Sequence, residues 1–228
     1  MNVIPQRVKD GFVGLIGPLA RALIRGGVHP NLITTLGTLV VIASGLAFGL
    51  GDIRLGGVLL LASGVFDILD GQVARQGGMT TTFGAFYDST LDRLGEAAVF
   101  AGLAFYFLRG GVPPERALLG AGVALTALVA SLLVSYTRAR AEGLGVECTV
   151  GIAGRAERIL LLGLPAVVFG PDGALFFWIV VVLALVSAIT VVQRVMHVAR
   201  TASGVPRPPP SMKRETMPGV AAVRRKGH

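Results

Sequence analysis

This sequence has little of what a water-soluble enzyme is built from. Only 15% of its 228 residues are charged, against 53% hydrophobic, with a mean hydropathy of +0.71. A soluble domain of this size is excluded and an integral membrane protein is implied. One cysteine, Cys148, excludes an internal disulfide and carries no assigned role. The three histidines, His29, His197 and His228, have no metal-ligand spacing. There is no Walker-type glycine loop, no evident internal repeat, and no series of alternating ten-residue segments of the kind an outer-membrane barrel needs. Nor is there a soluble domain to carry a nucleic-acid face, so nucleic acid is not an expected partner.

What is present is a set of apolar runs. Leu32 to Leu50, Leu118 to Val134 and Ala174 to Val192 each approach the roughly 20 residues that cross a hydrocarbon core about 30 Å thick. Three shorter runs, Leu55 to Phe66, Ala97 to Leu108 and Ile159 to Phe169, reach spanning length only by taking in charged residues. These are Asp67 and Asp70, Asp88 and Asp92, and Arg155 and Arg158. Backbone in hydrocarbon must satisfy its own hydrogen bonds, so spans are helices. The expectation is an all-α integral membrane protein with six transmembrane helices over 30–200. A basic, amphipathic stretch over 1–29 is expected to lie at the interface, and it lacks the cleavage pattern of a signal peptide. A proline-containing basic tail over 201–228 reads as disordered.

Of the 21 basic residues only Arg54, Arg109 and Arg116 fall in the loops assigned outside. Both termini and the aspartates therefore face the cytoplasm of a multi-pass cell-membrane protein. The net charge of +8 suits anionic headgroups of the lipid bilayer. Most of the 32 glycines read as close-packing positions between helices, and Trp178 and Tyr136 as interface or packing residues.

The aspartates carry the chemistry. Asp67 and Asp70 are three apart and Asp88 and Asp92 four apart, so each pair shares a helix face, and the short loop between them makes the two helices neighbours. Four like charges in a low-dielectric setting need protons or cations among them. Arg75 and Arg93 offset at most two, and Arg93, next to Asp92, is expected on another face. Hard carboxylate oxygens without His or Cys suit Mg²⁺, Mn²⁺ or Ca²⁺, and a pair of such ions serves phosphoryl displacement. Helix capping explains single aspartates but not all four.

Written out, the stretch is Asp67-x-x-Asp70-Gly71-x-x-Ala74-Arg75, eight residues, Gly84, three residues, Asp88, three residues, Asp92. It closely resembles the signature of the CDP-alcohol phosphotransferases, and the likeness runs from about Gly17 to Arg200. The resemblance implies that Asp67, Asp70, Asp88 and Asp92 bind two Mg²⁺ ions, with Mn²⁺ an alternative, and that Asp92 takes the proton of the acceptor hydroxyl. Gly71 and Ala74 would let CDP-diacylglycerol approach the backbone, Arg75 would pair with phosphate, and Thr81, Pro30, Asn31 and Thr34 would border the nucleotide. A homodimer is implied as well.

"SYTRARAE", "RAER" and "TVVQR" are similar to the branch that makes phosphatidylinositol phosphate, with Ser135, Arg138, Arg155 and Arg194 lining an acceptor-phosphate pocket. The expected reaction joins CDP-diacylglycerol to inositol 1-phosphate. Glycerol 3-phosphate is the competing acceptor. Ala156 stands where relatives often carry proline. Arg155 and Arg158 open a helix, where the macrodipole disfavours cations, so an anion is expected beside them. A reading from another class is a cation or proton transporter, which predicts paired broken helices in two related halves that the sequence does not show.

Overall fold

The computed structural model describes 6–152 and 154–202, with the side chains of 6–13 and 15 left aside. The expected tail lies outside the described residues from 203 on. Among the described residues every regular element is helical: α1 (Gln6–Arg25), α2 (Pro30–Leu50), α3 (Ile53–Gln76), α4 (Thr82–Tyr106), α5 (Pro114–Glu142), α6 (Arg155–Phe169) and α7 (Gly173–Ala202). Five of the six apolar runs each fall within one helix, and the run Ala97 to Leu108 ends two residues past α4 in the following turn.

Local chemistry sets the boundaries. His29 accepts the Asn31 N–H at 3.2 Å and Pro30 takes the first turn of α2, where its missing N–H costs nothing. The chain leaves α2 through Gly51 at φ 90°, a left-handed position that suits glycine. Asp52 then accepts from Leu55 N at 3.1 Å to open α3, and Thr81 accepts from Gly84 N at 2.9 Å to open α4. A wide turn, Phe107–Gly111, separates α4 from α5.

Helix α2 packs against both α3 and α4, α3 also against α6 and α1, and α5 against α4 and α7. The α2–α4 crossing is so close that a Cβ on Gly102 would collide with the Gly45 carbonyl, and one on Gly45 with that of Ala98. Glycine at both positions is what allows the approach. At the α3–α6 contact a Cβ on Gly57 would meet the Ala166 Cβ at 2.5 Å. The larger core gathers Phe48, Tyr106, Phe107, Phe176 and Leu183, and Leu183 borders the pocket that Glu96, Arg155 and Arg158 line. A smaller one, Ile16, Ala20, Ile33, Leu69 and Val73, docks α1 on α2 and α3.

Three helices, α2, α5 and α7, are long and apolar enough to cross a membrane. The others carry the polar residues: α3 and α4 exceed 20 residues but bear the aspartates, and α6 has 15, about 22 Å at the usual rise of about 1.5 Å per residue. The fifth expected span is thus shorter than the hydrocarbon core, because Gly154 and Gly170 bound it. Large apolar side chains such as Leu46, Leu50, Leu118, Leu185 and Trp178 stand exposed, as on a surface that faces lipid.

A candidate carboxylate and guanidinium site

The four aspartates lie on facing turns of α3 and α4, near the ends joined by the 77–81 loop. Asp70 is buried, and its Oδ2 accepts the Thr34 hydroxyl of α2 at 2.7 Å. Thr34 is the residue expected beside the nucleotide, and here it anchors a carboxylate. Asp67, Asp88 and Asp92 are half-buried. Asp67 and Asp70 each feel the charges of Asp88 and Asp92, so all four carboxylates share one electrostatic site.

The cation that bridges the two aspartate pairs is neither Arg75 nor Arg93. Arg155, the first residue of α6, places Nη1 2.7 Å from Asp67 Oδ2 and donates to Asp92 Oδ1. The same charge acts on Asp88. One turn further, Arg158 donates to Glu96 Oε1, with Arg158 buried and the Glu96 side chain only 10% exposed. Arg93 was expected on another face, yet it reaches back to Asp92 Oδ2 at 3.4 Å and stands 3.7 Å from Glu96 Oε2. Adjacent Cβ atoms on a helix do diverge, but a long flexible guanidinium can fold back along it. The anions that compensate the two arginines at the start of α6 are thus the protein's own carboxylates.

Glu96 escaped the sequence reading. The available signal was its place four residues after Asp92, on the same helix face and directly before an apolar run. Its Oε2 and the Nε of Arg93 are buried without a hydrogen-bond partner.

Five carboxylates, Asp67, Asp70, Asp88, Asp92 and Glu96, therefore face three guanidiniums, Arg93, Arg155 and Arg158. If all are ionised the site keeps an excess of two negative charges, and its donors are hard oxygens suited to a divalent cation. Among the described residues no three acidic, His or Cys side chains stand at ligand spacing as they are placed. The Arg155 guanidinium occupies the space between Asp67 and Asp92. The donor set fits Mg²⁺ or Mn²⁺, with that side chain as the competing occupant.

The residues expected around the nucleotide cluster at the same end. Pro30 is buried at the start of α2. Asn31 Oδ1 lies beside Gly84, 3.4 Å from where a Cβ would stand, next to Thr81, which caps α4. Arg75 lies across Gly71, its Nη1 3.0 Å from a Cβ built there, and Ala74 is half-buried one turn on. Thr35 and Tyr87 share a hydrogen bond at 2.9 Å that ties α2 to α4 beside them.

The expected acceptor pocket divides in two. Arg194 is buried on α7, with Nε donating to Val150 O at 2.9 Å and Nη1 to Val134 O. Arg138 and Arg158 are near enough to act on its charge. Arg138 is exposed and pairs with Glu142 at 2.8 Å. Ser135 is half-buried one position after Val134. Arg155 stands apart from these, with the aspartates.

The profile of the CDP-alcohol phosphatidyltransferase family matches residues 27–192. Phosphatidylinositol phosphate synthase of Cutibacterium acnes is 38% identical over 205 residues, covering 86% of this chain and 97% of that protein. Archaetidylinositol phosphate synthase of Methanothermobacter thermautotrophicus is 41% identical over 202 residues, covering 84% and 96%. The crystal structure of Mycobacterium tuberculosis phosphatidylinositol phosphate synthase with CDP-DAG bound superposes with a TM-score of 0.71 at 35% identity, over 80% of this chain and 92% of that one. The same enzyme in complex with manganese and citrate gives 0.69 at 34%, over 79% and 87%. The chain belongs to the CDP-alcohol phosphatidyltransferase family, transferases of phospholipid biosynthesis.

Proposed function

We propose that this protein transfers the phosphatidyl group of CDP-diacylglycerol to a hydroxyl of inositol 1-phosphate, forming phosphatidylinositol phosphate and CMP. The observation that carries the reading is the acidic cluster of α3 and α4, with its excess negative charge and its arginines on α4 and α6. The names of the relatives and the CDP-DAG complex of the M. tuberculosis enzyme support the choice of substrates.

Asp67, Asp70, Asp88 and Asp92 would hold two Mg²⁺ ions, or Mn²⁺, as the manganese complex of the related enzyme suggests. Bound there, the ions would supply charge neutralisation for the diphosphate oxygens. The chain's own residues do the rest. Thr34 orients Asp70 through its 2.7 Å hydrogen bond. Asp92 takes the proton from the acceptor hydroxyl as its oxygen bonds to the β-phosphorus. The bond from that phosphorus to the oxygen bridging to the α-phosphate breaks, and CMP leaves with the electron pair. Gly71 and Ala74 keep the backbone approachable, Arg75 pairs with phosphate, and Pro30, Asn31 and Thr81 border the cytidine.

Ser135, Arg138, Arg155 and Arg194 receive the acceptor phosphate, which suits planar, multiply donating guanidiniums. Arg194 is held in place by the two carbonyls of Val134 and Val150.

In the same reading α2 to α7 are six membrane helices over 30–200, with α6 starting below the headgroup level inside the polar pocket. The N-terminal region, 1–29, rests at the interface. The site opens to the cytoplasmic face of the cell membrane, and the chain works as a homodimer. The test is a purified-protein assay with labelled CDP-diacylglycerol and Mg²⁺, offering inositol 1-phosphate or glycerol 3-phosphate. A labelled phosphatidylinositol phosphate at much the higher rate is the expected product. Preference for glycerol 3-phosphate would reassign the acceptor.

A further inference from the structure

We propose that Arg155 is a resident counter-cation of the carboxylate site. It competes with the divalent cation for Asp67 and Asp92, and cation binding hands its guanidinium to the acceptor phosphate, so the two ligands bind with positive coupling. The proposal rests on the reading of Asp67 and Asp92 as cation ligands given above.

Its basis is the double contact of one nitrogen. Arg155 Nη1 is 2.7 Å from Asp67 Oδ2 and bonded to Asp92 Oδ1. A guanidinium has only donors, so it satisfies these oxygens without sharing them with a metal. A divalent ion on the same two oxygens would stand beside the guanidinium as a second positive charge, so the two cations compete for Asp67 and Asp92 electrostatically. The contact links residues on three helices, α3, α4 and α6, and so bridges the site rather than decorating one face of it.

The surroundings let Arg155 move alone. It is the first residue of α6, directly after Gly154. Behind it the helix is pinned by the buried Arg158–Glu96 pair and by the close contact of Gly57 with Ala166 and Gly163. The guanidinium can therefore swing without a shift of the helix. Where it goes is set by charge. Arg138 and Arg158 both act on the charge of Arg194, and although each has its own carboxylate partner, a further cation is received there more favourably once a phosphate anion is bound. The acceptor phosphate is that anion, and a metal in the aspartates is what frees the arginine. Coupling of this kind is reciprocal, so acceptor binding must tighten the metal as much as the metal tightens the acceptor.

The experiment is Mn²⁺ binding to purified full-length protein, read by electron paramagnetic resonance without CDP-diacylglycerol, for wild type, Arg155→Gln and Arg155→Lys. Removing a charge in direct contact with two carboxylates should tighten Mn²⁺ by about tenfold or more in Arg155→Gln. Arg155→Lys, which keeps the charge, should stay near wild type. Inositol 1-phosphate should tighten Mn²⁺ several-fold in wild type and leave Arg155→Gln unmoved. Equal Mn²⁺ affinity in wild type and Arg155→Gln overturns the proposal while leaving the metal site standing. Absence of Mn²⁺ binding in both overturns the proposal and the metal reading beneath it. Should Arg155→Gln not fold, the acceptor effect on wild type and Arg155→Lys decides, and no tightening in either overturns the coupling.

Discussion

Thr34 on α2 donates its hydroxyl to Asp70 Oδ2 on α3 at 2.7 Å, and both residues are buried. The two are 36 positions apart in sequence, and the bond joins the opening turn of one helix to the acidic turn of the next. It leaves Asp70 Oδ1 outside that bond, and it fixes the carboxylate in one orientation.

Thr34→Val keeps the shape and removes the hydroxyl. Loss of a group that orients a metal-ligating carboxylate typically costs 10–100-fold in metal affinity. The variant is expected to need about tenfold more Mg²⁺ for half-maximal turnover, with Thr34→Ser close to wild type. A Mg²⁺ titration of the activity of each checks this.

Asp92→Asn removes the base but keeps the side chain's size. A fall in kcat of about 10²–10⁴-fold is expected, the usual worth of a general base. The thermal unfolding midpoint should stay near that of wild type. Near-normal turnover would refute the assignment of Asp92.

Glu96→Ala takes away the carboxylate that Arg158 pairs with in the interior. Breaking a buried pair by deleting one partner costs about 3–5 kcal/mol. A large drop in thermal midpoint is expected, and Arg158→Met added to Glu96→Ala should recover part of it. A double-mutant cycle in detergent measures the coupling.

Gly102→Ala drives a methyl group into the Gly45 carbonyl of α2. Overpacking of this kind costs about 1–3 kcal/mol, so the unfolding midpoint should fall. Gly122→Ala on α5 is the control, because a Cβ there meets nothing within 4 Å. Its helix should gain up to about 1 kcal/mol from the better helix former.

The helices and the aspartates were legible because both announce themselves locally. Apolar runs bounded by Gly, Pro and capping residues define α2 to α7, and three of the runs were too short without their charged ends, which pointed to Asp67, Asp70, Asp88 and Asp92. The partner of those aspartates was not legible. Arg155 lies 63 positions from Asp92 and reaches it because α6 packs on α3 through Gly57 and Gly163. Spacing along the chain places Arg155 at a helix start and says nothing of which anion it meets. Glu96 went unread because it looked like the last member of a polar stretch, while its importance lies in the buried Arg158 across the helix interface. The direction of the Arg93 Cβ differs from the reach of its long side chain, which folds back to Asp92 and Glu96. Arg194 was expected to await a phosphate, and its backbone partners, Val134 and Val150, come from a helix and a loop that only the folded chain brings to it.

The central claim, that this acidic cluster is a divalent-cation centre, is tested most directly by anomalous diffraction from crystals soaked in Mn²⁺. Two peaks enclosed by Asp67, Asp70, Asp88 and Asp92, with the Arg155 side chain displaced from between Asp67 and Asp92, are predicted. A map with no anomalous density among these carboxylates, and Arg155 still seated on them, would contradict it.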